Sequence, residues 1–234
     1  MIDIRESRLY HLVINGRRVD WRDYFRAAAY TFFQGKKPLC FSSREGKTVQ
    51  IDLTQDMETI MNGIKSNFRN EIRRASREGI VFDESMTVAD FVDYYNDFAD
   101  KRGLKRISQK AVTKYPKFYI LTARYGEQVL SAHVSFTDEE DKKVFLLFSA
   151  SNRLDEGIDK KMVGFANKFL HYEEFRYFKD AGYAVYDFSG FSDDPNDTEK
   201  YGIGQFKTSF GGVVVPTKHY YSPLFKLANR IMRR

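Results

Sequence analysis

The sequence predicts a mixed α/β protein built on a central, largely antiparallel sheet flanked by helices. Two observations carry this. Three strand-length apolar segments follow one another from Phe118 with short polar turns between them, and a helical apolar stripe (Ile158, Met162, Phe165, Phe169, Tyr172) comes directly after. A third observation bounds the answer: no apolar run approaches the roughly 20 residues that a bilayer-spanning helix needs.

Taken in order, the first fifty residues read as short strands around one helix. Leu9 to Ile14 is strand-like, Asn15-Gly16 is a hairpin-turn signature, and Trp21 to Phe33 has an aromatic, helical pattern. Leu39-Cys40-Phe41 and Val49 to Leu53 flank the polar stretch Arg44-Glu45-Gly46-Lys47, which suggests a second hairpin. A helix is expected from Met57 to Glu78, entered through Thr54, Asp56 and Glu58 and closed by Gly79. Thr87 and Asp90 form a capping box for the next helix, whose Phe91, Tyr94, Tyr95 and Phe98 make one apolar face. The meander comprises Phe118 to Tyr125, Val129 to Phe136 and Val144 to Ser151, and a polar loop then leads into the long helix ended by Gly182. Val185 to Phe188 is a further strand, a glycine-rich segment spans Tyr201 to Gly212, and Val213-Val214-Val215 is the last strand. No repeat or Pro/Ser linker divides the chain, so the fold is read as continuous.

The composition narrows the function only coarsely. The chain has 234 residues, 42% of them hydrophobic and 30% charged, which suits a folded domain with a substantial core. A net charge of +6 points to an anionic partner, a class that includes tRNA, nucleotide sugars, coenzyme A and anionic lipid. Cys40 is the single cysteine, so neither an intrachain disulfide nor a cysteine-based metal cluster is expected, and no metal site is foreseen. The first residues lack the basic-then-apolar order of a signal peptide, and the cytoplasm is the expected location.

Three stretches resemble a known family. Arg69-Asn70-Glu71-Ile72-Arg73-Arg74-Ala75 with Gly79 resembles the basic helix that opens the domain of Fem-type acyltransferases. Ala181 to Gly190 resembles their helix-end, strand and glycine pattern, and Gly204 to Gly212 resembles their phenylalanine-lysine and phenylalanine-glycine signature. The order of elements is that of the acetyl-coenzyme A-dependent GNAT fold. The likeness covers roughly residues 65 to 220 and extends to the peptidoglycan-bridge aminoacyltransferases and to single-domain acyltransferases of cell-envelope polysaccharide pathways. It implies a GNAT-like domain over residues 56–222, preceded by an N-terminal strand and helix addition (1–55) and followed by a basic tail (223–234).

The resemblance places Lys207 beside the donor's phosphate or reacting carbonyl, where an ammonium stabilises developing negative charge. Asp187, at the end of a strand on the acceptor side, is a candidate general base, with a capping carboxylate as the alternative. Tyr201, Tyr220 and Tyr221 are candidates to protonate the leaving group. The donor's pyrophosphate is expected where the long helix begins, at Ser151, Arg153, Gly157, Lys160 and Lys161, with Phe206 beside it. Asp155, Glu156 and Asp159 oppose an anion there. His133 and His171 are further base candidates, each with a purely structural alternative. Arg69, Arg73, Arg74 and Arg77 are either an anion-binding helix face or a solvated one.

The expected function is acyl transfer, acetyl from acetyl-coenzyme A or another acyl-coenzyme A, to an amine of a cell-envelope or polysaccharide precursor such as an amino sugar. Aminoacyl-tRNA with a peptidoglycan precursor is the alternative pair of substrates, and a non-catalytic phosphate- or nucleic-acid-binding module is the third reading. The basic tail from Leu224 to Arg234 suggests peripheral contact with an anionic membrane or docking on the domain itself.

Overall fold

A computed structural model describes residues 1–5 and 10–232, the last five of these as backbone alone. One ten-stranded sheet runs through it, in the order β1-β2-β3-β10-β4-β9-β8-β7-β6-β5. In chain order its members are β1 (Ile2–Arg5), β2 (Tyr10–Ile14), β3 (Ala27–Thr31), β4 (Ser42–Asp52), β5 (Val81–Asp83), β6 (Phe118–Tyr125), β7 (Gln128–Asp138), β8 (Lys143–Ser151), β9 (Val185–Asp187) and β10 (Val213–Tyr221). The helices are α1 (Met57–Gly63), α2 (Ser66–Arg77), α3 (Val88–Arg102), α4 (Gln109–Thr113), α5 (Lys160–Asp180), α6 (Thr198–Thr208) and α7 (Pro223–Met232). Among the described residues, only β2/β3 and β8/β9 pair in parallel.

The meander, the long helix and the strand after it stand where the periodicity puts them. Alternation sends Leu121, Ala123 and Leu130 to one face of the sheet, where Phe169, Leu170, Phe175 and Phe178 of α5 and Phe68 and Ile72 of α2 complete the main core. The opposite face of β6–β8 is covered by α3 and α4 through Phe91 and Val112, packed on Ile120, Ala132 and Val134. The Thr87 capping box is present: its hydroxyl accepts from Asp90 N at 3.2 Å and donates to the Asp90 carboxylate at 2.6 Å.

The N-terminal third differs from expectation in three places. Asn15-Gly16 does not make a hairpin, because β2 lies parallel to β3 and the two need a crossover. Asn15 adopts the left-handed conformation (φ 58°) but spends its amide on Asp138, 2.9 Å away, and so anchors the end of β2 to the meander. Trp21 to Phe33 is not a helix. It is a 3-10 turn over Trp21–Tyr24 followed by β3, whose Tyr30 pairs with Tyr220 and whose Ala29 pairs with Tyr221. Arg44 to Lys47 is no turn either, since it continues β4 through nine consecutive pairs with β10. Leu9, the expected start of β2, lies outside the described residues.

The expected helix from Met57 to Glu78 is two helices with an extended break at Ile64 (ψ 139°). Packing explains the break. A Cβ on Gly211 would lie 2.5 Å from Gly63 O, so the two glycine backbones abut there. Lys65 N donates to Ser209 O at 2.9 Å, and Arg69 Nη1 donates to Asn62 O and Ile64 O at 2.9 and 2.6 Å. Arg69 is thereby a cap for the carbonyls that the break leaves open.

Candidate functional site

The parallel pair β8/β9 creates the main irregularity of the sheet. The strands pair at Lys143↔Val185, Val144↔Tyr186 and Phe145↔Asp187, and then β9 ends while β8 runs on to Ser151. Beyond Phe145, β8 keeps its ladder with β7 on one side and, among the described residues, has no strand on the other. At the point of divergence Val134 faces Phe148 while Ser135 faces Leu146, which leaves Leu147 as the extra residue of a bulge. A bulge bends its strand and re-aims side chains, so it widens the gap the departing strand opens. From Phe145 to Ser151 the open edge is roughly 20 Å long.

The opposite lip of the gap is the chain leaving β9. Phe188 N and Phe191 N hold it to β4, donating to Val49 O (3.0 Å) and Lys47 O (2.8 Å). Between them Ser189 and Gly190 turn through positive φ (54° and 117°), and Gly190 N donates to Thr48 Oγ1 at 3.2 Å. Asp187 anchors this turn from beneath. It is fully buried, accepts from Ser189 N (2.8 Å), Gln50 Nε2 (2.9 Å) and the Thr48 hydroxyl, and pairs with Lys143 Nζ at 2.8 Å. Each carboxylate oxygen thus has two partners, an arrangement consistent with the capping alternative for Asp187.

Lys207 lies on the α5 side of the same turn. Its ammonium donates to Phe188 O at 2.8 Å and Gly190 O at 2.6 Å, leaving one N–H uncommitted. Burial pushes its pKa down to about 8, while the Asp187 charge pulls the other way. Phe206, its neighbour on α6, packs its ring against Phe68, His171 and Phe210. The sequence reading set Asp187 on the acceptor side and Lys207 and Phe206 on the donor side; the structure brings Asp187 and Lys207 to the same Ser189-Gly190 turn and packs Phe206 against the core rings.

Across the sheet from α5, the gap meets a cleft of about 480 Å³. Leu146 and Leu147 form one wall, Ser189 to Phe191 another, and Arg44, Gly46 and Lys47 of β4 with Thr217, His219 and Tyr221 of β10 a third. Gly46 has no side chain where a Cβ would stand 3.0 Å from Thr217 Oγ1 and 3.6 Å from His219 Nε2. His219 stands edge-on to Phe32 at 5.3 Å, and its pKa is lowered by burial and by Arg44. It is therefore a neutral imidazole at neutral pH, able to accept a proton. Sequence reasoning missed this residue. The usable signal was Thr217, His219 and Tyr221 recurring at period two, but their partners on β4 were read as a turn.

The expected pyrophosphate residues sit at the far end of the gap. Ser151 closes β8 half-buried, Arg153, Lys160 and Lys161 are exposed, and Gly157 turns through φ 77°. Asp159 caps α5 with its own carboxylate, which accepts from Lys161 N at 2.8 Å, and Asp155 pairs with Lys101 at 2.7 Å. One backbone donor that would greet an anion is thus already occupied. Tyr201 is exposed on the first turn of α6, Tyr220 is buried against Phe33, and Tyr221 reaches the cleft wall. Arg73 and Arg77 line a surface groove with Asn70 and Ser76, while Arg74 pairs with Glu78 at 3.0 Å.

His133 and His171 face each other inside the core at 4.3 Å between ring centres. With Glu174 they bring ligand-type atoms within 4.8 Å of one another, the set among the described residues with the composition to hold a metal. Glu174 already accepts from Tyr186 OH at 2.7 Å and lies 3.0 Å from His133 Nδ1 and 3.3 Å from His171 Nδ1. Burial, and then His133, push the His171 pKa down to about 4. A neutral His171 sharing one buried carboxylate with His133 and a phenol makes a closed hydrogen-bond network, the structural alternative for both histidines.

No family model and no curated protein matches the sequence. Among solved structures the chain is similar to FemX, at TM-score 0.70 and 13% identity over 98% of this chain and 85% of that one. It is also similar to L-PGS from Bacillus licheniformis, at TM-score 0.61 and 12% identity over 100% of this chain and 86% of that one. At such identities the likeness is one of fold: the chain shares the fold of FemX and of L-PGS.

Proposed function

We propose that this chain is an acyltransferase whose activated donor lies in the gap between β8 and β9 and whose acceptor amine occupies the cleft. The observation that carries this is the gap itself: a bulged parallel strand whose edge is unpaired among the described residues, a half-buried ammonium at its lip and a cleft of small-molecule size on the far side. An extended donor arm along the open edge of β8 would bring a reactive carbonyl to the Ser189-Gly190 turn. The amine nitrogen attacks the carbonyl carbon and gives its proton to His219, the carbon–sulfur or carbon–oxygen bond to the donor breaks, and that proton ends on the departing sulfur or oxygen. Lys207 balances the charge that builds on the carbonyl oxygen. Asp187 serves as a positioning residue that holds the turn.

Acetyl-coenzyme A is the first donor to test, as the resemblance implies. The Asp159 cap favours a second, an aminoacyl ester of tRNA, because it places a carboxylate where a coenzyme A diphosphate would sit. Radiolabelled acetyl-coenzyme A and radiolabelled aminoacyl-tRNA, each incubated with a panel of amino sugars and amino-terminated precursors, separate the two. The expected result is stable amide label from one donor, reduced about 100-fold in His219→Asn. Binding of either donor without transfer to any acceptor would instead support a non-catalytic binding module.

A further inference from the structure

Two turns next to β3 expose large apolar side chains. Trp21 is 67% exposed, Phe25 76% and Leu39 79%, the three highest values among the large hydrophobic residues with the exception of Val213. The turns are neighbours, since Tyr24 of the first packs its ring on the buried Phe41 of the second at 5.1 Å. α7 starts beside them: Ser222 Oγ donates to Arg26 O at 2.7 Å and accepts from Ala28 N at 2.9 Å. Its Leu224 and Leu227 are 40% and 55% exposed. Phe225 faces inward, stacked on Tyr221 at 5.0 Å, so the helix is docked on the sheet by one side only.

The charge around these tips is mainly basic, with Arg17 paired to Asp141 and Glu140 of the meander. Residues 17–41 contain Arg17, Arg18, Arg22, Arg26, Lys36 and Lys37 against two acids, Asp20 and Asp23. Both acids are consumed internally by Arg26, one at 3.4 Å and the other in a closer contact. Arg18, Arg22, Lys36 and Lys37 are exposed. Lys226 of α7 is exposed as well. Exposed aromatic tips ringed by exposed cations match the interfacial region of an anionic bilayer, where rings enter the headgroup layer and nearby Lys and Arg are drawn to the anionic surface.

We infer that this edge of the molecule, the Trp21–Phe25 turn with Leu39 and the outer side of α7, docks on an anionic membrane surface. The inference stands apart from the acyl-transfer reading, although docking in this way brings the cleft close to the bilayer, because Tyr221 both lines the cleft and supports Phe225. It also reaches beyond the basic tail to an aromatic anchor that charge counting does not reveal.

Trp21 is the sole tryptophan, so its emission reports on this edge alone. Vesicles of phosphatidylcholine containing phosphatidylglycerol are expected to shift the emission to the blue and to sediment the protein, and high salt to reverse both. Pure phosphatidylcholine should do neither. Phe25→Ser with Leu39→Ser, which retains the reporter, should weaken vesicle binding about tenfold or more, and Lys36→Glu with Lys37→Glu should abolish the preference for anionic lipid. Unchanged emission and no sedimentation with anionic vesicles would overturn the inference. So would a blue shift that grows with protein concentration in the absence of lipid, which would assign the edge to a second copy of the chain, or a shift produced by tRNA but not by vesicles.

Discussion

Lys207→Met is expected to lower turnover on the order of 100-fold to 1000-fold, the usual loss when one electrostatic donor is removed from a developing oxyanion. The Michaelis constant for the donor should change little, because a ground-state phosphate contact is not what the ammonium supplies. pH gives an independent signature. The pKa of Lys207 is lowered by burial from 10.5 to about 8. Turnover that needs the ammonium should therefore fall as pH rises through about 8. Stability should move the opposite way. Between pH 8 and 10.5 the unfolded chain binds more protons at this residue than the folded one, so its unfavourable contribution, complete below pH 8, is relieved as pH rises. Parallel profiles of turnover and denaturation midpoint test both signs, and Lys207→Met should lack both features. A variant with unaltered kinetics would remove Lys207 from the chemistry.

Asp187→Ala should act mainly on stability. Removing the carboxylate strands Lys143, which is 9% exposed, and leaves Ser189 N and Gln50 without their acceptor. Breaking one side of a buried ion pair costs about 3–5 kcal/mol, which for a chain of this size lowers the melting temperature on the order of 10 °C. Thermal unfolding followed by circular dichroism measures it. A residue acting only as a general base would leave the melting temperature in place and depress turnover alone, and that outcome would restore the catalytic assignment.

How much of this was legible in the sequence depends on the range of the contacts involved. β6 to β8 and α5 are stabilised by neighbours close in the chain, and their periods of 2 and 3.6 were plain. The first half of β4 is a strand because β10, far along the chain, pairs with it, and β3 is held between a parallel β2 and the end of β10. Their local patterns, an aromatic run and a charged Arg-Glu-Gly-Lys, favour other conformations, and tertiary pairing overrides them. The break between α1 and α2 depends in the same way on Gly211. Lys207 and Asp187 were visible because they sit in spaced phenylalanine and glycine motifs, and the structure joins them around Ser189-Gly190. The cleft wall of Arg44, Gly46 and His219 was invisible for the reason β4 was: two distant strands had to be brought into register first.

The gap between β8 and β9 is the proposed route of the donor. Hydrogen–deuterium exchange of the protein, alone and with acetyl-coenzyme A or with an aminoacyl-adenosine that mimics the end of aminoacyl-tRNA, reads that gap directly. The open edge of β8 has backbone groups available to a ligand arm, so peptides covering residues 146–151 and 188–191 should exchange more slowly when the functional donor is present. Protection confined to the basic face of α2, with residues 146–151 and 188–191 unchanged at saturating donor, would contradict it.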